Sequence, residues 1–314
     1  MISVNRPTEQ NRIYSESTIM LMGPVALAVA DLERSLSFYE QVLGCKLLAR
    51  NGNTAVVGSE APLLLLTEQG DAPPRPQHTT GLYHVALLLP GRADLACILR
   101  HLLDCGYALE SLQDHWISEA IYLSDPEGNG IELYRDRPRS AWPWQHGKLE
   151  ATEPSTEIKI ESLLAELDGT KYSWHGLPAF TRVGHIHLQV ANLAPSAAFY
   201  QQVLGLEESI TGMDGANFFA FGGYHHHIAC NVWATLDAPL PPDHALGLHF
   251  FTLTLPEQAD IEQLVSRARA ADALVMQYGQ SYLLRDPSNT RILLTSESVQ
   301  DSQEVMALAS VFGL

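Results

Sequence analysis

DLERSLSFYEQVLGCKLL at residues 31–48 returns as NLAPSAAFYQQVLGLEES at 192–209, with FY, QVLG and the spacing between them kept. SDPEGNGIELY at 124–134 returns as RDPSNTRILLT at 285–295, at the same offset. GLYHVALLLP at 81–90 returns as GLHFFTLTLP at 247–256, out of step with the other two by five residues. The chain is therefore an internal duplicate, and any reading of one half can be checked against the other.

Working outward, PVALAVADL has the short apolar character of a buried strand, and LERSLSFYEQVLG an amphipathic helix closed by Gly44. Asp31 is placed to cap that helix. Two or three short strands fill Thr54 to Leu66. LYHVALLL opens a second unit, whose helix ADLACILRHLLDCG carries Leu95, Leu99, Leu102 and Leu103 as its apolar stripe and ends at Gly106. The turn DPEGNG then leads into IELY. Four βαβββ modules result, at about 23–68, 81–136, 182–236 and 246–296, an α+β architecture of paired, cupped mixed sheets. Residues 137–181, with prolines, Trp142, Trp144 and the helical stretch IKIESLLAEL, read as a linker packed on the surface.

Composition narrows the class. With 314 residues, 46% hydrophobic and 18% charged, the chain fits two soluble domains of ordinary size. A net charge of −17 argues against nucleic acid as a partner. No apolar run is long enough for a membrane span, and the polar first 20 residues lack the apolar core of a signal peptide, so the expected location is cytoplasmic. Cys45, Cys97, Cys105 and Cys230 have no CxxC spacing and read as small buried hydrophobes.

A pair of such modules makes a cavity walled by alternate strand residues, and a metal site there needs ligands at corresponding positions. His185 opens the third unit, where the first has Pro24. His84 opens the second, where the fourth has Phe250, with His249 shifted one residue and so onto the other face. Glu132 corresponds to Leu293. Units two and three thus keep His84, Glu132 and His185, two imidazoles and a carboxylate, the facial set of non-haem Fe(II) sites. The metal centre is expected between unit two and unit three, across the sequence halves.

FYxxVLG and DPxGNxIEL resemble the vicinal-oxygen-chelate superfamily of glyoxalases, bleomycin-resistance proteins and extradiol dioxygenases. TTGLYHVALLLPGRADL (79–95), SEAIYLSDPEGNGIELYRDRPRSAW (118–142) and GGYHHHIACNVW (222–233) resemble its bacillus-type catechol 2,3-dioxygenase branch. The resemblance covers the chain after about residue 20. It implies two tandem domains, 21–136 and 182–298, joined by the linker 137–181 and followed by a tail at 299–314. It further implies ring cleavage of a small aromatic diol with O2 at Fe(II), Mn(II) being the other metal of choice. A glyoxalase-like lyase or isomerase and a non-enzymatic binding protein of the same fold are the alternatives. The specific catechol and the oligomeric state, a homo-oligomer among the options, are left open.

The same resemblance assigns roles. A histidine of the GGYHHHIACNVW strand is the acid–base, placed on His227. Tyr122, ten residues before Glu132, is to hydrogen-bond the substrate oxygen, and His115 belongs to the same loop. By strand alternation His225 and His227 share a face with Asn231 and Trp233, while His226 points away. His187, two residues beyond His185, lines the pocket; Trp142 and Trp144 either cover it or anchor the linker.

Overall fold

The computed structural model describes residues 20–151, 154–169, 173–296 and 299–311. The N-terminal stretch considered above for a signal peptide lies, up to residue 19, outside the described residues. No described helix is long and apolar enough to cross a membrane.

The four modules join in two different ways. Within each half the two modules share an apolar core, and a buried hydrogen bond pins them together. Tyr39 Oη donates to Asp125 Oδ2 at 2.9 Å, linking the first unit's helix to the second unit's turn. Tyr200 Oη repeats the contact with Asp286 Oδ2 at 2.8 Å. Each aspartate is held in turn by its own turn's amides, Glu127 and Asn129 in one copy, Ser288 and Thr290 in the other. The tyrosine reaches its partner from a widened turn. The expected single α-helix is α-helical over Leu32–Ser37 and π-helical over Phe38–Val42, and the second copy does the same at Leu193–Ala198 and Phe199–Val203. Such one-turn bulges re-aim a side chain. Asp31 caps the first helix, accepting from Arg34 N at 2.9 Å. Gly44 closes it at φ +77°, against Trp174 and Gly176, where a Cβ has no room.

Between halves the joint is a sheet. Leu21–Val29 pairs antiparallel with Gly247–Thr254, fusing units one and four into an eight-stranded sheet. Gly81–Leu88 pairs antiparallel with Arg182–Gln189, fusing units two and three into an eleven-stranded one.

The linker is more than the surface connection expected. Lys148–Glu150 extends one end of the eleven-stranded sheet beside Glu207–Thr211, and Thr156–Glu157 forms its other edge beside Ser111–Asp114. Laid flat, nine strand spacings of about 4.8 Å would separate these two linker strands by about 43 Å. The chain from Glu150 to Thr156 reaches at most about 21 Å. The sheet must therefore curl into a cup with the linker strapped across it. On its outer side the helix Arg92–Asp104 buries Leu95, Ile98, Leu99 and Leu102. Leu103, expected on that stripe, is half-exposed, because the i, i+3, i+4, i+7 face takes Ile98 instead. Cys45 and Cys230 are buried as expected, but Cys97 is only partly so and Cys105 is exposed.

The second cup, in the eight-stranded sheet, is apolar among the described residues. Phe250, Leu283 and Leu293 line it, and the helix Ser302–Val311 fills it with Val305 and Met306. The C-terminal tail thus gives Val299, Val305 and Met306 to the core; residues 312–314 lie outside the described set.

If the tyrosine–aspartate joints hold the modules, Tyr200→Phe lowers stability by about 1–3 kcal/mol, since it leaves a buried carboxylate short of a donor. Urea unfolding measures this, and an unchanged midpoint would refute the role.

Candidate metal centre

Three adjacent strands carry the site. Gly81–Leu88 lies between Gly130–Asp136, parallel to it, and Arg182–Gln189, antiparallel. Ala86 faces Glu132 on one side and His185 on the other. The small methyl between them leaves room for larger side chains to converge. His84 stands one pleat along on the same face, opposite His187. His84 Nε2 is 2.9 Å and His185 Nε2 3.0 Å from the same oxygen, Glu132 Oε2. One ligand atom from each residue falls within 4.8 Å of the others, and all three residues are buried.

The donor set fits a divalent metal. Burial opposes ionisation of Glu132, yet the two imidazoles hold its carboxyl well below the ordinary range. Burial pushes His185 down to about 4, so near neutral pH it offers a lone pair and not a proton. His84 Nε2, although 2.9 Å from Glu132 Oε2, makes no well-aligned hydrogen bond to it and is left a buried nitrogen aimed at the carboxylate. A cation at this point would take all three lone pairs. Gly184, beside His185, is needed for the cup's packing, because a Cβ there would lie 1.9 Å from Tyr134 Oη.

The other sequence candidates gather around this point unevenly. Tyr122 stands opposite Glu132 across the ladder, and its hydroxyl lies 2.9 Å from His115 Nε2. Burial, with Glu132 beside it, drives the Tyr122 hydroxyl well above its ordinary pKa. His187 lies beside His84, at 4.9 Å between ring centroids, and its Nε2 is 3.0 Å from Asn231 Nδ2. Trp233 is half-exposed at the rim with Tyr83, both packed edge-on to His187. Trp142 is buried 5.3 Å from the His225 ring, its Nε1 donating to Arg137 O, whereas Trp144 is exposed on an edge strand.

The triple histidine departs from the alternation expected of it. The strand begins only at Ile228, so His225, His226 and His227 sit in the preceding loop, where period-two alternation does not apply. His226 turns into the cup, its ring 4.1 Å from that of His185 and against Phe218. His227 turns away: its Nδ1 accepts from Phe221 N at 3.2 Å and its ring lies on Tyr224. His225 bridges His226 Nδ1, at 2.8 Å, to Asp136 Oδ1, at 2.9 Å. Tyr134 and Tyr224 share a hydrogen bond at 2.9 Å beside that chain. Tyr134 and Asp136 were overlooked in the sequence, although both follow Glu132 at even spacing and so share its face.

With the geometry in hand, the comparisons place the chain. Residues 21–133 and 182–293 match the Glyoxalase/Bleomycin resistance protein/Dioxygenase superfamily, and the chain belongs to it. It is 40% identical over 272 residues to the catechol-2,3-dioxygenase of Bacillus subtilis (strain 168), covering 85% of this chain and 93% of that one. Biphenyl-2,3-diol 1,2-dioxygenase 3 of Rhodococcus globerulus is 31% identical over 27% of this chain and 46% of its own length. Among solved structures, glyoxalase I from Zea mays superposes with a TM-score of 0.58 at 13% identity, covering 93% of this chain and 96% of that one, a likeness of fold.

Two comparisons test the ligand set. Glu132→Ala should weaken metal binding by more than the roughly 10- to 100-fold that loss of an outer hydrogen-bond partner costs, whereas Leu293→Ala should leave metal content unchanged. His84→Ala should strip the metal and His249→Ala should not, because His249 lies in the other sheet, accepting from Arg291. Metal analysis after dialysis decides both; equal losses from His84 and His249 would place the site elsewhere.

Proposed function

We propose that this chain is an extradiol dioxygenase, opening a catechol-type diol next to its two hydroxyls with both atoms of O2 entering the product. The convergence of His84 Nε2 and His185 Nε2 on one Glu132 oxygen carries the reading. Two imidazoles and a carboxylate on one side of a cup are the facial set suited to Fe(II), with Mn(II) the alternative. Such a metal would supply a Lewis-acidic point for both diol oxygens and a redox path between ring and dioxygen.

The protein supplies the rest. Tyr122 stands where its hydroxyl can bond a substrate oxygen, backed by His115. His226, against His185 and buried, is the histidine of the triplet placed to move a proton at the reacting ring. The acid–base role expected of His227 passes to it because His227 faces Phe221 and Tyr224. His187 with Asn231, and the rim aromatics Tyr83 and Trp233, are placed to orient a flat ring. Phe218, Ile210, Leu149 and Ile117 form an apolar wall that limits water.

An oxygen electrode with a panel of catechols and the Fe(II)-loaded protein tests this directly. Oxygen uptake matched to ring-opened semialdehyde is the expected result; turnover of a non-diol substrate with Ni(II) or Zn(II) and no oxygen uptake would overturn it. His226→Phe should keep its metal and lose about 10²- to 10⁴-fold in turnover, with a much smaller effect from His227→Phe. The reverse order would return the proton-transfer role to His227.

A further inference from the structure

The strap that closes the cup also brings a side chain to the His115 ring. We propose that Ser155 is a positioning residue that sets the tautomer of His115 and, through it, the direction of the Tyr122 hydroxyl. The inference rests on the functional reading above only for its effect on turnover.

Ser155 Oγ lies 2.6 Å from His115 Nδ1, and His115 Nε2 lies 2.9 Å from Tyr122 Oη. Tyr122 in turn stands opposite Glu132 across the ladder, close enough that, with burial, the carboxylate raises the pKa of its hydroxyl. A neutral imidazole has one N–H and one lone pair, and each hydroxyl has one proton, so a chain of these groups must run in one direction. Both ends bear on that direction, Glu132 at one and the Ser155 hydroxyl at the other. The Glu132 carboxylate only accepts, so the Tyr122 proton points toward it and the metal point. The Tyr122 oxygen then accepts from His115 Nε2–H, and His115 Nδ1 accepts from Ser155 Oγ–H. Remove the Ser155 hydroxyl and nothing holds Nδ1 as the acceptor. The imidazole can then take its other tautomer, and Tyr122 can turn its proton to His115 Nε2, away from the cup.

The backbone shows the same precision of placement. His115 sits on a three-residue turn, with Ile117 N donating to His115 O at 2.6 Å and Trp116 held at φ +55°. A non-glycine residue in that region costs free energy that the surroundings must offset. Ser155 reaches the ring because Thr156–Glu157 pairs with Ser111–Asp114, the strand leading into that turn. Ser155 itself is exposed, so its substitution leaves the core untouched.

The test needs no turnover for its first arm. In metal-free protein labelled with 15N-histidine, long-range 1H–15N spectra read which ring nitrogen of His115 bears the proton. The expected result is Nε2–H with an unprotonated Nδ1, replaced in Ser155→Ala by a mixture of tautomers and restored in Ser155→Thr. In the second arm, Ser155→Ala should lower kcat for ring cleavage about fivefold at unchanged metal content, the size of one neutral hydrogen bond, with recovery in Ser155→Thr. An Nδ1–H tautomer in the native protein, or a spectrum unmoved by Ser155→Ala, overturns the proposal. Absence of ring cleavage in the native protein would overturn the functional reading alone, because the spectra still judge the chain. An alanine variant with altered tautomers and native kcat would also overturn the positioning role.

Discussion

The hydrogen bond from a buried tyrosine to a buried aspartate, made once in each half, is the constraint from which the architecture follows. Burial pushes the Asp286 carboxyl up to about 6, with Tyr200 and the turn amides pulling it back, so the pair tolerates its surroundings only while those donors stay in place. Because the tyrosine comes from one module and the aspartate from the next, each half is stitched without any strand passing between its two modules. The strands are then free to pair across halves. The four modules form a ring of alternating joints, hydrogen bond and sheet, and the cup of units two and three is one consequence.

Duplication produced two cups, and the chain treats them oppositely. In one, His84, Glu132 and His185 gather polar groups that need a guest or a partner. In the other the same pleats carry Phe250 and Leu293, Pro24 stands where His185 would, and the C-terminal helix occupies the space with Val305 and Met306. Filling the second cup gives the eight-stranded sheet an apolar core on both faces, a packed backing for its polar twin. Stability and chemistry are thus divided between copies of one design.

Much of this is legible in the sequence itself. The strands that open the modules and the Asp31 cap follow from local pattern, and the meeting of units two and three from setting His185 against Pro24, His84 against Phe250 and Glu132 against Leu293. What escaped was local deviation from a regular period. The π-turn at Phe38–Val42 differs from an α-helix by one hydrogen-bond register, which no hydrophobic pattern records. The histidines at 225–227 looked like strand because they abut one, and only the late start at Ile228 breaks the alternation. The strap looked like linker because its strands are two or three residues long and its burial comes from partners far away in sequence. Ser155 could not be found at all, since a serine forty residues from its histidine leaves no pattern.

The sheet joints also set the order in which the protein can form during synthesis. Leu21–Val29 waits for Gly247–Thr254, and Gly81–Leu88 for Arg182–Gln189. At about 5–20 residues per second, the first of these strands stays without that partner for roughly ten seconds or more after leaving the ribosome. Both are apolar and, until then, present an open edge to any other chain nearby. The nascent N-terminal half is therefore the vulnerable species, the one a cell's holding chaperones would meet, and crowded overexpression would lose protein at that stage more than from the finished ring.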